Sequence, residues 1–292
     1  MLLGYALFGV VPVLLKQGLL GGMDAGVAVV LRFLVAVGLL GLLALAGLRP
    51  RPVNVRGLAW RGVFGGLAVA SFFYAVQLCG AGLGTLLNYT HSLWSNVFAV
   101  LFFHQRPAKA FWALLGLAGF GLWLVLDPTG GQISLLGLGV GIFSGMVAGA
   151  AVLTIKTLRQ TDDALTINTA LSVGGLVVGI PLAFLTVQSH GGQGLPQPWQ
   201  PWAWVAGSAV FSFFGQQFFN HGFKHVSVPM NSLLSQLTPV MACLSGWLFL
   251  GEPMTPHFVA GSACIVVACT WMGRLEARPR SSAVTNEKTP HY

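Results

Sequence analysis

Three polar residues stand together in the middle of a long apolar stretch. Asn88, His91 and Ser95 are spaced so that a helix would carry them on one face, and Trp94 adjoins that face. An imidazole with an ordinary pKa of about 6.5 changes charge in the physiological range, and amide and hydroxyl groups hydrogen-bond to polar solutes. Two interpretations stay open: a solute-binding and proton-coupling site at His91, or a neutral histidine hydrogen-bonded between packed helices.

Further polar side chains recur at helical spacing in three other apolar stretches. These candidates are Tyr74 and Gln77, then Gln217 and Asn220, and then Asn231, Ser235 and Thr238. Ser71, Gln216 and His221 lie close to them in sequence. Polar groups are costly at membrane depth and face either a cavity or one another. We therefore expect these residues either to line a solute site or to hydrogen-bond between helices without touching a solute.

The composition predicts that these residues are held by elements built for lipid. The chain has 292 residues, of which 55% are hydrophobic and only 8% are charged, whereas a soluble protein has about 25% charged residues. Apolar stretches near 20 residues long predict membrane-spanning helices. We predict an all-α polytopic membrane protein with ten spans at about 2–21, 26–48, 59–79, 81–103, 108–126, 134–157, 165–187, 202–222, 227–250 and 257–273.

The basic residues predict the topology of these ten spans. With a cytoplasmic N-terminus, thirteen of the fifteen Lys and Arg residues fall on the cytoplasmic side. They are Arg49, Arg51, Arg56, Arg61, Arg106, Lys109, Lys156, Arg159, Lys224, Arg274, Arg278, Arg280 and Lys288. Asp24, Asp127 and Glu252 fall on the other side, which places both termini inside. The net charge of +8 is therefore interpreted as a topology signal and not as a nucleic-acid site.

The two halves of the chain resemble each other. A shift of 147 residues aligns Val63-Phe64 with Val210-Phe211, and it pairs Asn88 with Ser235 and His91 with Thr238. Because each half holds an odd number of helices, the second half must enter the membrane in the opposite sense. We predict a first five-helix repeat at 1–130, an inverted second repeat at 131–273 and a disordered cytoplasmic tail at 274–292.

Several short motifs, in this order and spacing, resemble the drug/metabolite transporter superfamily of the EamA type. They include Leu31-Arg32-Phe33, the run from Leu86 to Thr90, and Leu237-Thr238-Pro239-Val240 followed by Gly251-Glu252-Pro253. The resemblance implies a secondary active transporter in a cell membrane, expected to be a bacterial inner membrane. It also implies export or exchange of a small metabolite, such as an amino acid or a drug-like compound, by alternating access.

Other functions and partners were weighed on the same residues. A lipid flippase-like protein, a non-transporting membrane scaffold and an intramembrane enzyme are the alternatives, and we find no motif of a known hydrolase or ATPase. We expect no cofactor or metal site, four reduced cysteines, and either a monomer or a homodimer. Within the spans, Lys16 and Arg32 are expected to snorkel, or Arg32 to meet Asp24 or an anionic solute. Glu252 is expected to cap a helix end.

Overall fold

The computed structural model describes residues 1–104, 107–126, 134–189, 195–250 and 255–277. It contains eleven α-helices and no strand within these ranges. In chain order they are α1 Leu2–Leu20, α2 Ala25–Leu45, α3 Val55–Tyr89, α4 His91–Phe103, α5 Lys109–Leu126, α6 Leu135–Leu158, α7 Ala164–Ser189, α8 Gln200–Gly222, α9 Val228–Ser235, α10 Leu237–Leu250 and α11 Pro256–Ala277. Asp127, Glu252 and residues 278–292 lie outside the described ranges, and with them the predicted cap and most of the predicted tail.

Two of the ten spans are interrupted. The chain of α3 reverses at Gly80, whose φ of 80° and ψ of 165° are not helical, so that residues 81–89 pack back along the preceding part of the same helix. This returning segment and α4 together form the fourth span, which is interrupted for one residue at Thr90, where the backbone stays in the right-handed helical region. The ninth span consists of α9 and α10, broken at Gln236. The two breaks lie within one residue of positions that the 147-residue shift equates.

The ten spans differ in helix length and hydropathy. Among the described residues, seven helices are long and apolar enough to cross a bilayer by length and composition. The two interrupted spans do not meet that criterion because their helices are short: α4 has 13 residues, α9 has 8 and α10 has 14. Helix α8 has 23 residues, but several are polar. The prediction of an all-helical, ten-span protein with two inverted repeats is confirmed.

The repeats are joined by close contacts between helices of opposite halves. At the crossing of α5 and α11, an added Cβ on Gly121 would lie 2.5 Å from the carbonyl oxygen of Gly261. Similarly, Gly4 of α1 faces the backbone of Gly215 in α8. Because these backbones touch, only glycine fits, and the contact replaces the hydrophobic drive that helices in lipid lack.

The bundle has two chemically different ends. At one end, which we call the basic end, the α2–α3 connection reaches the α6–α7 connection, and the backbone N–H of Val53 donates to Asp162 at 2.8 Å. At the far end, Asp24 caps α2 and accepts a hydrogen bond from Thr186 of α7 at 2.8 Å. The helices run from one of these ends to the other, so the position of a residue along its helix gives its depth in the bundle.

Candidate functional site

Two cavities lie one above the other along the centre of the bundle. The basic-side chamber has a volume of about 190 Å³ and is lined by residues of α1, α3, α4, α6, α7, α8, α9 and α10. The far-side chamber has a volume of about 180 Å³ and is lined mainly by α1, the returning segment of α3, α5 and α10. Both chambers are lined by Tyr89 and Thr238, whose side chains are hydrogen-bonded to each other. This pair forms the boundary between the chambers.

The boundary is built from the ends of the broken helices. Tyr89 is the last residue of α3, directly before the break at Thr90. Thr238 is the second residue of α10, two residues after the break at Gln236. Helices interrupted at mid-membrane are a recurring feature of transporter sites, because the break frees side chains and backbone groups to face a cavity.

Five of the residues singled out from the sequence line the basic-side chamber. They are Asn88, His91, Asn231, Ser235 and Thr238. They include both pairs equated by the 147-residue shift, so residues of opposite repeats face one cavity. Asn231 accepts a 2.6 Å hydrogen bond from the hydroxyl of Tyr5, which joins α9 to α1. Asn88 donates to Ser144 of α6 at 2.6 Å.

His91 is the first residue of α4 and faces the same chamber. Its Nδ1 lies 3.3 Å from the carbonyl oxygen of Tyr89 and 3.3 Å from the hydroxyl of Ser92. Both partners belong to its own span, so the described hydrogen bonds of His91 do not tie it to a neighbouring helix. An imidazole in this position is available to a solute in the chamber.

Ser95 and Trp94 lie in packing contacts on α4. Ser95 is buried and its hydroxyl is 3.2 Å from that of Ser232, within a seam of short polar side chains that joins α4 to α9. In the same seam, Asn96 donates to Ser232 at 2.6 Å, and Gln236 donates to Ser92 at 3.0 Å. The Trp94 backbone lies against α6, and neither Trp94 nor Ser95 lines the chambers defined above.

The remaining four candidates lie between helices. Tyr74 donates to Thr186 at 3.3 Å, and Gln77 accepts from the N–H of Ala25 at 2.9 Å, so both belong to the polar cluster around Asp24 at the far end. On α8, Gln217 accepts from Asn168, and Asn220 donates to the carbonyl oxygen of Ala164 and accepts from Gln216. These contacts join α8 to α7. The glutamine of α8 that lines the chamber is Gln216.

Tyr5, Tyr89 and Arg61 are chamber residues that were not singled out as site residues from the sequence. Tyr5 and Tyr89 lie in apolar runs that give no signal of a cavity. Arg61 was counted among the cytoplasmic charges, but it is only 3% exposed and lines the basic-side chamber. Arg32, by contrast, stacks near the rings of Phe33 and Phe73, with its guanidinium carbon 5.6 Å and 5.7 Å from their centroids.

Interrupted helices around central chambers, in two inverted five-helix repeats, are the architecture of a membrane transporter. The chain belongs to the EamA-like transporter family, whose model matches residues 1–127 and 135–274. It is 25% identical over 229 residues, 78% of each chain, to the pseudopaline exporter CntI of Pseudomonas aeruginosa strain UCBPP-PA14.

A second relative supports the same assignment, and one solved structure shares the fold. An uncharacterized transporter of Archaeoglobus fulgidus is 28% identical over 214 residues, covering 72% of this chain and 74% of that protein. A protein of known crystal structure shares the fold with a TM-score of 0.72 at 19% identity, over 96% of this chain and 98% of that one. The protein is therefore a multi-pass membrane transporter.

Proposed function

We propose that the protein is a secondary active transporter that moves a small organic solute by alternating access, as an exporter or exchanger. The observation that carries the proposal is the pair of chambers separated by Tyr89 and Thr238. A carrier must expose its site to one side of the membrane at a time, and a boundary only two side chains thick can open without rebuilding the bundle. The residues proposed to bind the solute are Asn88, His91, Asn231, Ser235 and Thr238.

The size of the chambers favours a small polar solute. At about 190 Å³, the basic-side chamber is smaller than the roughly 300–1,000 Å³ of pockets for drug-sized ligands. Its lining mixes amides, hydroxyls, one imidazole and the guanidinium of Arg61 with apolar side chains, which is the pattern of a site that orients a solute through a few polar contacts. His91 is proposed to couple transport to protons.

The proposed orientation is supported by the distribution of charges. Basic residues at one end of the bundle support a cytoplasmic basic end in a bacterial inner membrane, with both termini on that side. The basic-side chamber would then be the one loaded from the cytoplasm. The export direction is supported by the similarity to a protein named as an exporter. A monomer or a homodimer would each be compatible with this mechanism.

The direct test is counterflow in liposomes that contain the purified full-length protein. A thermal-shift screen against amino acids, nucleosides, polyamines and common drugs first selects a solute that raises the melting temperature. Liposomes loaded with that solute should then take up its radiolabelled form faster than empty liposomes do. Uptake equal to that of protein-free liposomes, for every solute that binds, would refute the proposal.

One feature favours a second candidate, a flippase-like activity. A mostly apolar groove of about 400 Å³ lies between α4 and α5, and Leu93 and Trp112 on its edges are 42% and 38% exposed. The groove also touches Tyr89 and the polar pair Ser92 and Gln236, so a lipid headgroup could approach the centre from the side. Fluorescent phospholipids in the same liposomes distinguish the two functions, because only a flippase makes inner-leaflet lipid accessible to external dithionite.

A further inference from the structure

Arg61 occupies an unusual position for a basic residue near the start of a transmembrane helix. It is the seventh residue of α3, which places its Cα about 9 Å inside the helix at a rise of 1.5 Å per residue. Long basic side chains in such positions normally extend back toward the membrane surface. Here the side chain extends the other way: an added Cβ on Gly65, one turn deeper, would lie 2.5 Å from Nη1 of Arg61. The missing side chain of Gly65 makes room for the guanidinium.

The guanidinium is buried without a partner in the described part of the chain. Arg61 is only 3% exposed, its Nε has no hydrogen-bond partner, and no described carboxylate forms an ion pair with it. The charged group that acts on it electrostatically is Arg32, which is also a cation. A buried cation without a counter-ion is unfavourable, because burial removes part of its hydration and no opposite charge compensates for it. Such an arrangement calls for an anion from outside the chain.

The chamber around Arg61 carries no competing negative charge. Among the described residues that line it there is no aspartate or glutamate. The three described aspartates whose side chains are placed have other roles: Asp24 caps α2, Asp162 accepts from the backbone of Val53, and Asp163 accepts from the backbone of Thr166. The neutral groups of the chamber, including Gln216 and Asn88, add hydrogen-bonding capacity without charge.

We propose that Arg61 is the anion-binding residue of the basic-side chamber, and that the transported solute is a small organic compound bearing an oxyanion, with a carboxylate as the group that pairs with the guanidinium. The planar guanidinium presents parallel N–H donors that match the two oxygens of a carboxylate. The inference rests on the proposed transport function and adds the chemical class of the solute. The positive charge of Arg61 in the chamber is neutralised only when the anion is bound.

The test measures the thermal stability of the purified full-length protein against simple oxyanions. Acetate, succinate and glycerol 3-phosphate are titrated at constant ionic strength, each beside a neutral counterpart: acetamide, succinamide or glycerol. The wild type should show a saturable rise in melting temperature with the carboxylates and none with the neutral compounds. R61Q should lose that rise, R61K should need about tenfold more ligand because the bidentate geometry is lost, and R56Q should behave as the wild type. Arg56 is the matched control because it is an exposed arginine on the same helix.

The ligand-free stability of R61Q separates a binding role from a structural one. If Arg61 is an uncompensated buried cation, its replacement by glutamine leaves the melting temperature unchanged or raises it. A lower melting temperature in R61Q without ligand, an anion response that persists in R61Q, or the absence of any saturable oxyanion response in the wild type would each overturn the inference. A response to glycerol 3-phosphate alone that requires Arg61 would support the oxyanion site and overturn the carboxylate assignment.

Counterflow measurements on wild type and R61Q distinguish failure of the proposed anion site from failure of the proposed transport function. A solute that is transported equally well by wild type and R61Q would leave the transporter intact and remove Arg61 as its anion site. A saturable, Arg61-dependent oxyanion response combined with no counterflow would refute transport and leave the anion site standing. Loss of counterflow of an anionic solute in R61Q, with R56Q unaffected, would support both.

Discussion

Gly80 is the residue on which the position of the chamber boundary depends. Its φ of 80° and ψ of 165° belong to a region that residues with a side chain rarely occupy. At this point α3 ends its first passage and residues 81–89 turn back, carrying Asn88 and Tyr89 to the centre of the bundle. Replacing Gly80 with alanine tests whether this backbone conformation holds the site in place.

The destabilisation expected for G80A comes from the backbone torsion angles and not from a steric clash. A Cβ added at Gly80 meets no atom within 4 Å, so the substitution creates no clash. The cost is therefore torsional, about 1–3 kcal/mol for a residue with a Cβ in this region. Gly139 in α6 supplies the matched control, because its added Cβ also meets nothing within 4 Å but its backbone is helical. There alanine should be neutral or stabilise by up to about 1 kcal/mol.

The assay is equilibrium unfolding of the purified variants in mixed micelles, followed by counterflow of the same proteins in liposomes. G80A should lower the free energy of unfolding by about 1–3 kcal/mol, and G139A should not lower it. Since Asn88 and Tyr89 follow the turn by about two helical turns, G80A should also slow counterflow, while G139A should leave it unchanged. Equal stability of the two variants would show that the reversal at Gly80 is not a strained, glycine-specific conformation, and the reasoning would fail.

Three further substitutions test the site and its scaffold. H91A should lower counterflow and flatten its pH profile while membrane insertion stays normal; unchanged uptake with an unchanged pH profile would exclude proton coupling at this residue. Y89F removes the hydrogen bond at the chamber boundary, worth about 1 kcal/mol, and should change the counterflow rate about fivefold, whereas Y74F, at the far end, should not; equal rates would place the boundary elsewhere. G121A forces a Cβ against the backbone of α11 and should lower the melting temperature in detergent far more than G116A, whose added Cβ meets nothing within 4 Å; similar melting temperatures would show that this helix contact is not tight.

Hydropathy predicted the spans well because burying a backbone in lipid demands long apolar helices. It did not predict the breaks at Thr90 and Gln236, since the apolar residues of each span average out the polar residues near its middle. At Thr90 the hydroxyl donates to the carbonyl oxygen of Leu87 at 2.6 Å, and at Gln236 the amide donates to Ser92 at 3.0 Å. Clusters of Ser, Thr, Asn and Gln near mid-span are the only sequence signal of such breaks.

The candidate site was predictable to the extent that repeat symmetry constrains it. The pairs formed by Asn88 with Ser235 and His91 with Thr238 line one chamber, as equivalent positions of an inverted repeat should. Tyr74 and Gln77 share their polarity and spacing, but their hydrogen bonds lie at the far end. Helical periodicity assigns a residue to a face, and it does not say which neighbouring helix that face will meet.

The most informative positions are those where the two repeats differ. The 147-residue shift that pairs the chamber residues also pairs Arg61 with Ser208 and Gly65 with Ser212. In the first repeat a large cation lies beside a glycine that makes room for it, whereas the second repeat has two small hydroxyls at the equivalent places. Ser208 is fully buried and its hydroxyl donates to the carbonyl oxygen of Val205 within its own helix. Two symmetric repeats are sufficient to build two chambers and a boundary between them. The difference between the repeats at these two positions is not required for that. The positive-inside bias accounts for a basic residue at the cytoplasmic end alone. The burial of its side chain in the chamber, beside Gly65, is the feature for which we propose an anionic solute as the reason.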